Sequence, residues 1–158
     1  MSVGYVVKTA TAATALVGGA AKTIANVIAG TRGPVICELS AGFDGVTASA
    51  VPVLVELCGC TQGAAGTPGT SPTPAPIRPL GGDAAIATAG ESYSAEPTTV
   101  TPIKHWLVTP NGGLLVIQFP LGREQVGTIA GASAGKGQLL RCNAPANVNV
   151  RGYLEFEE

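Results

Sequence analysis

Charge is scarce in this 158-residue, 15.7 kDa chain: Asp, Glu, Lys and Arg together make 12%, against roughly 25% in an average soluble domain. The nine basic residues are scattered singly and the formal net charge is −1, which excludes the basic stripe that a nucleic acid partner requires. Aromatics supply only 4%, and there is one histidine. No apolar run approaches the roughly 18 residues of a membrane-spanning helix, so no membrane partner is expected. The stretch after Lys8, from Thr9 to Ala21, holds only Leu16 and Val17 as strongly apolar residues, too thin a core for an export leader. What is abundant is equally informative. Twenty-two Gly and twelve Pro exclude a helical bundle, because both interrupt helices. A hydrophobic fraction of 46% with almost no net charge excludes a disordered chain. A single compact all-β domain remains.

Short alternating apolar runs between turn residues recur along the chain and read as strands. Val3 to Lys8 is a first strand or arm. Lys22 to Ala29 fits a helix through Ile24 and Val27-Ile28, yet continues better into the turn at Gly30 to Pro34 as a strand. Val35 to Phe43 follows, closed by Asp44-Gly45. Val51, Val53, Val55 and Leu57 share one face of the next strand, whose Pro52 requires an edge or a bulge. Ile103 to Thr109 and Leu114 to Phe119 are joined by Pro110-Asn111-Gly112-Gly113, a strong hairpin signal; the return strand is apolar enough for burial on both faces. Gln125 to Ile129 and Gln138 to Cys142 are further short strands, separated by a Gly-rich connection over 131–137. The last strand is the clearest: Val148, Val150, Gly152, Leu154 and Phe156 face one way, and Asn147, Asn149, Arg151, Tyr153 and Glu155 the other.

Residues 61–82 break this pattern, with five Pro and five Gly and no apolar period. They predict an extended or mobile outward loop with partial polyproline character. The organisation is therefore an N-terminal arm or edge strand over 1–20, then one domain over 21–158 carrying the extended loop 61–82. Seven or eight short strands favour an antiparallel β-sandwich. The Cys…Trp…Cys spacing of immunoglobulin domains is missing around Trp106, which favours a jelly-roll-like order.

Groups able to do chemistry are few. Cys37, Cys58, Cys60 and Cys142 match no zinc spacing, and Cys58 and Cys60 lie side by side on one strand face, badly placed to bond each other. They read as reduced thiols in core or surface positions, or as one cross-strand disulfide using Cys37 or Cys142. Asp44 and Asp83 are the only aspartates and His105 the only histidine; none belongs to a recognisable catalytic pattern, and His105 reads as structural or interfacial. Gly131 to Gly137 lacks the ordered phosphate-loop pattern and its helix. Glu155, Glu157 and Glu158 read as a solvated charge cluster rather than a closed cation cage. No catalytic residues, no cofactor and no metal are therefore expected, and an enzyme is excluded as the expected class.

A resemblance adds to this reading. Phe43-Asp44-Gly45, the run Ala50 to Leu57, Glu96-Pro97-Thr98 and the run Phe119 to Glu124 occur here in the order seen in small virion proteins of tailed phages. The closing run from Arg141 to Val150, ending in Tyr153 to Glu158, is the most specific part. The pattern covers most of residues 35–158 and resembles the capsid decoration (cement) protein family; residues 61–82 depart from it. The resemblance implies a non-enzymatic protein on the virion's capsid surface, made in the host cytoplasm. It would be a homo-oligomer, expected to be a trimer, with the major capsid protein as partner at capsomer junctions. A different reading is a carbohydrate- or receptor-binding jelly roll of a tail or fibre, for which Tyr93, Trp106 and Tyr153 would be the exposed aromatics. A third is a secreted β-sandwich module with oxidised cysteines.

Overall fold

Twelve strands and no helix make up the described residues of the computed structural model, which are 4–9, 12–45, 51–61, 66–77, 83–126 and 136–158. In chain order they are β1 (Gly4–Lys8), β2 (Thr14–Leu16), β3 (Ala21–Ile28), β4 (Val35–Phe43), β5 (Val53–Thr61) and β6 (Ala75–Pro76). There follow β7 (Thr88–Glu91), β8 (Thr99–Val108), β9 (Leu114–Gln118), β10 (Gln125–Val126), β11 (Lys136–Asn143) and β12 (Val148–Glu157). All pairings are antiparallel, and they form two sheets.

The first sheet is built around β12. On one side it pairs with β4, whose far edge carries β9 and β10 end to end. On its other side lie β1 and β2, also end to end, with β6 beyond β1. The second sheet has the order β7-β3-β11-β5-β8. The two pack face to face as a sandwich. From the first sheet Ile36, Leu39, Ala41, Val150, Leu154 and Phe156 point inward; from the second, Ile24, Val27, Val55, Leu57, Leu140 and Cys142 meet them, all fully buried. Each such aliphatic side chain contributes about 1.5–3 kcal/mol by leaving water. Tyr5 stacks on Phe156 with ring centroids 5.5 Å apart. The alternation expected for the last strand is therefore present residue for residue.

The second sheet also has a covered outer face. Cys58, Cys60 and Leu139 form a small outer core with Val100, and Cys58 and Cys60 do share one face. The chain between β7 and β8 crosses over β3, with Ser92 and Tyr93 N–H donating to the carbonyls of Ile24 and Thr23 at 3.2 and 3.0 Å. Ser92 adopts φ +50° at this crossing. Glu96 holds the segment down, accepting from Thr23 N–H at 2.7 Å and Thr23 Oγ1 at 2.5 Å.

Several expectations need correction. The β8–β9 connection is not a hairpin: β8 pairs with β5 in one sheet and β9 with β4 in the other. Pro110 to Gly113 is a corner between sheets, where the turn chemistry is right but the strands diverge. β9 is not buried on both faces, since it is an edge strand with Leu114 70% and Val116 51% exposed. Val51 lies before β5 and is exposed rather than in the inward row. Within 61–82, residues 66–77 are extended but not an outward excursion. Thr67 and Thr70 bridge to Ala95 and Glu91, Pro74 is buried, and β6 pairs with β1. Local composition carried no sign of these partners, which are distant in sequence. Arg78, the rest of that stretch, and most of the Gly-rich connection over 131–137 lie outside the described residues. Three strands carried too little pattern to be read: β2, β6 and β7 have three, two and four residues.

Candidate interaction surface

The residues with chemical potential are not brought together. Asp44 follows β4, Asp83 precedes β7, and His105 stands exposed on β8. Among the described residues, no group of three or more His, Cys, Asp and Glu could hold a metal. None of the four cysteines is in a disulfide. Burial pushes Cys58 up to about 12 and Cys142 upward as well; at Cys37 burial and then the neighbouring Glu157 raise the thiol to about 11. Such thiols are poor nucleophiles at neutral pH. Glu158 is not a solvated charge: its carboxylate accepts from the N–H groups of Ile86 at 2.5 Å and Ala87 at 3.0 Å. Of the three aromatics proposed as exposed, Tyr93 is buried, and Trp106 and Tyr153 are half-buried.

What the fold does present is an open sheet face. Residues 66–70 and 92–97 lie against part of the second sheet's outer face, whereas among the described residues the first sheet's outer face is left open, with Arg151, Glu157, Leu114 and Val116 exposed. Register fixes its pattern. Along β12 the outward residues are Arg151, Tyr153, Glu155 and Glu157. Across from Arg151 stand Gly42 and then Leu114; across from Tyr153, Ser40 and Val116; across from Glu155, Glu38 and Gln118. On the β1 side Lys8 stands next to Tyr153. One end of the face is thus basic (Lys8, Arg151), the other acidic (Glu38, Glu124, Glu155, Glu157), and the β9 edge is apolar.

Two hollows mark these ends. At the basic end, about 440 Å³ opens over Ser40 and Gly42 beside Leu114, Arg151 and Tyr153. At the acidic end, about 550 Å³ opens between Glu38, Glu155, Glu157 and the turn with Phe119 and Leu121. Leu121 is 97% exposed there, next to Gly122 at φ +80°. On β8, the edge strand of the second sheet, Leu107 is 67% exposed on that sheet's own outer face, while Lys104 sits 4.6 Å above the Phe119 ring. Large apolar side chains left open along the β9 edge of so lightly charged a protein mark a contact surface. Nothing in the sequence pattern singled out this face, because its meaning depends on which strands lie side by side.

The acidic end is electrostatically strained. Glu38 and Glu155 are directly opposed on neighbouring strands, an arrangement that like charges destabilise. Burial, and then Glu38, holds the Glu155 carboxyl above its ordinary value. Tyr153 donates its hydroxyl to Glu38, and this hydrogen bond, reinforced by burial, pushes the phenol up to about 12. Because the folded protein binds that proton more tightly than the unfolded chain, its stabilisation is full below the ordinary tyrosine value near 10 and is lost as pH rises from there to about 12. Phenolate absorbance is therefore expected to lose a late-titrating component in Tyr153→Phe, while the upward-shifted Tyr5 remains; an unchanged titration curve for the variant would contradict the assignment.

No protein-family model, no curated protein and no solved structure matches this chain.

Proposed function

We propose that the protein is a non-enzymatic structural component of a phage virion, a homo-oligomer that seats on the outside of the capsid where capsomers meet and stabilises the shell. The major capsid protein is its partner. The observation that carries the reading is the open, apolar-bordered outer face of the first sheet, together with the exposed Leu107 on β8. This is surface suited to contact rather than chemistry. The order of the motifs from Phe43-Asp44-Gly45 to the closing Tyr153 to Glu158 supports the same reading through its resemblance to capsid decoration proteins. Three-fold order on the particle and the jelly-roll description of the sandwich belong to the proposal. The carbohydrate- or receptor-binding alternative has lost one of its three aromatics, Tyr93, to the interior.

The mechanism is mass action: a protein that binds only the assembled shell favours it by RT ln(1 + [L]/Kd) per site, and many weak contacts repeated over a particle add through multivalency. The test uses particles that lack the protein. Addition is expected to give stoichiometric binding and a higher rupture temperature on heating. Particles that neither bind it nor gain heat resistance would refute the role.

A further inference from the structure

We propose that the outer face of the first sheet is a two-fold self-contact, in which two copies stack face to face with β12 antiparallel over β12 and Arg151 of each copy against the Glu155–Glu157 end of the other. This deepens the self-association in the reading above and rests on that part of it alone.

The argument is one of complementarity. The axis that achieves this runs across the strands, between the Tyr153 and Glu155 rows. About it the acidic and basic ends exchange places, so each end meets its opposite. Arg151 and Glu155 lie four residues apart on one strand face, roughly 14 Å. Neither is in an ion pair: among the described residues the one ion pair is Arg141 with Glu56, on the other sheet. A second copy therefore sets its Arg151 over Glu157 and its Lys8 beside Glu155, cations at the end where Glu38 and Glu155 stand opposed. The same operation brings shapes into match. Leu121, standing out at the acidic end on the β9 side, falls over the partner's hollow at Gly42 and Leu114, where the absent side chain of Gly42 leaves room. β9 stays over β9, so Val116 falls over the partner's Gln118 row and Leu114 under the partner's Leu121.

The size is also adequate. Four strands in width and the length from Arg151 to Glu157 give a plan area on the order of 400 Å² per copy. Side-chain relief and the Leu121 insertion raise this toward the ~800 Å² per partner of a standard interface. Sheets that stack this way do so about 10 Å apart with strands near-aligned. A two-fold contact closes on itself and buries the same patch on both copies. Any three-fold contact would use a different surface, such as the exposed side chains that β8 presents.

The experiment measures mass in solution against protein concentration, using the full chain. The wild type is expected to form a dimer, or another even multiple, that weakens as salt is raised. Arg151→Glu and Glu155→Arg are each expected to weaken association about tenfold or more, and the double charge swap to restore it, because the swap keeps the ends opposite. Leu121→Asp, in an exposed turn where folding is not at stake, is expected to give a monomer with an unchanged thermal melt. A wild type that is monomeric or trimeric, a double swap no better than the singles, or a Leu121→Asp protein that still pairs would each overturn the proposal. Particle binding is measured separately. A dimer that ignores capsids refutes only the virion role, and a monomer that binds them refutes only this contact.

Discussion

A chain cut before Val148 is expected to lose cooperative folding altogether. Among the described residues, β12 is the strand that joins both halves of the first sheet, pairing with β4 on one side and with β1 and β2 on the other. Its removal takes Val150, Leu154 and Phe156 out of the core, all fully buried, and leaves two former interior edges facing solvent. Each of those side chains accounts for about 1.5–3 kcal/mol, so the loss approaches the roughly 5–15 kcal/mol by which a whole domain is stable. Phe156→Ala alone is expected to cost about 3–5 kcal/mol, since it also removes the ring stacked on Tyr5. Calorimetry checks both. A truncated protein that remains soluble and melts in one sharp transition would show that β12 is peripheral.

The second large effect is expected at Tyr93. Its ring stands in a slot between two glycines: a Cβ at Gly90 would come within 2.7 Å of the phenol oxygen, and one at Gly66 within 2.8 Å of a ring carbon. Inside that slot the hydroxyl accepts from Asn26 Nδ2 at 2.9 Å. Tyr93→Ala is expected to cost about 3–5 kcal/mol, and Tyr93→Phe about 1–2 kcal/mol for the weakened hydrogen bonding of a buried amide. Gly90→Ala is expected to resemble the Ala variant, because it drives the ring out. Denaturant titration gives the energies. Amide exchange over Gly66 to Thr70 gives the location, since these residues should lose protection first. Unaltered protection there would mean that Tyr93 does not hold the covering segment.

These two sites also show what could be read from residue order alone. β12, β4 and β5 were legible because each carries an inward period of two over enough residues to be unambiguous: Val148 to Phe156, Leu39 to Phe43, Val53 to Leu57. β8 and β9 were legible as strands but not as neighbours. The Asn111-Gly112 pair specifies a reversal, and a reversal serves equally to turn back within a sheet or to cross to the facing one. Tyr93 was misplaced for a related reason. An aromatic among Gly, Ser and Pro has no local period to declare it buried, and its slot is made by Gly66 and Gly90, glycines that both precede it in sequence and read as flexible punctuation. The open face of the first sheet was least legible, since Arg151, Gly42 and Leu114 become a row only through strand register.

The sheet edges carry a consequence for a protein with so little charge. Apolar β chains usually escape fibrous growth by placing lysines and other charges along their outer strands. Here proline and interruption do that work. β6, the outermost strand beside β1, ends in Pro76, which has no N–H to donate. β8 carries Pro102 beside its own bulge at Ile103. β7 exchanges backbone hydrogen bonds with Thr70, at 3.0 and 3.4 Å, where an incoming strand would bind. The remaining edge is split between β9 and β10 by the turn through Leu121 and Gly122. Among the described residues, no edge therefore offers the long uninterrupted ladder on which a cross-β fibre elongates. Such chains can be crowded together without templating one another, and the contacts they do make must run through side chains on sheet faces.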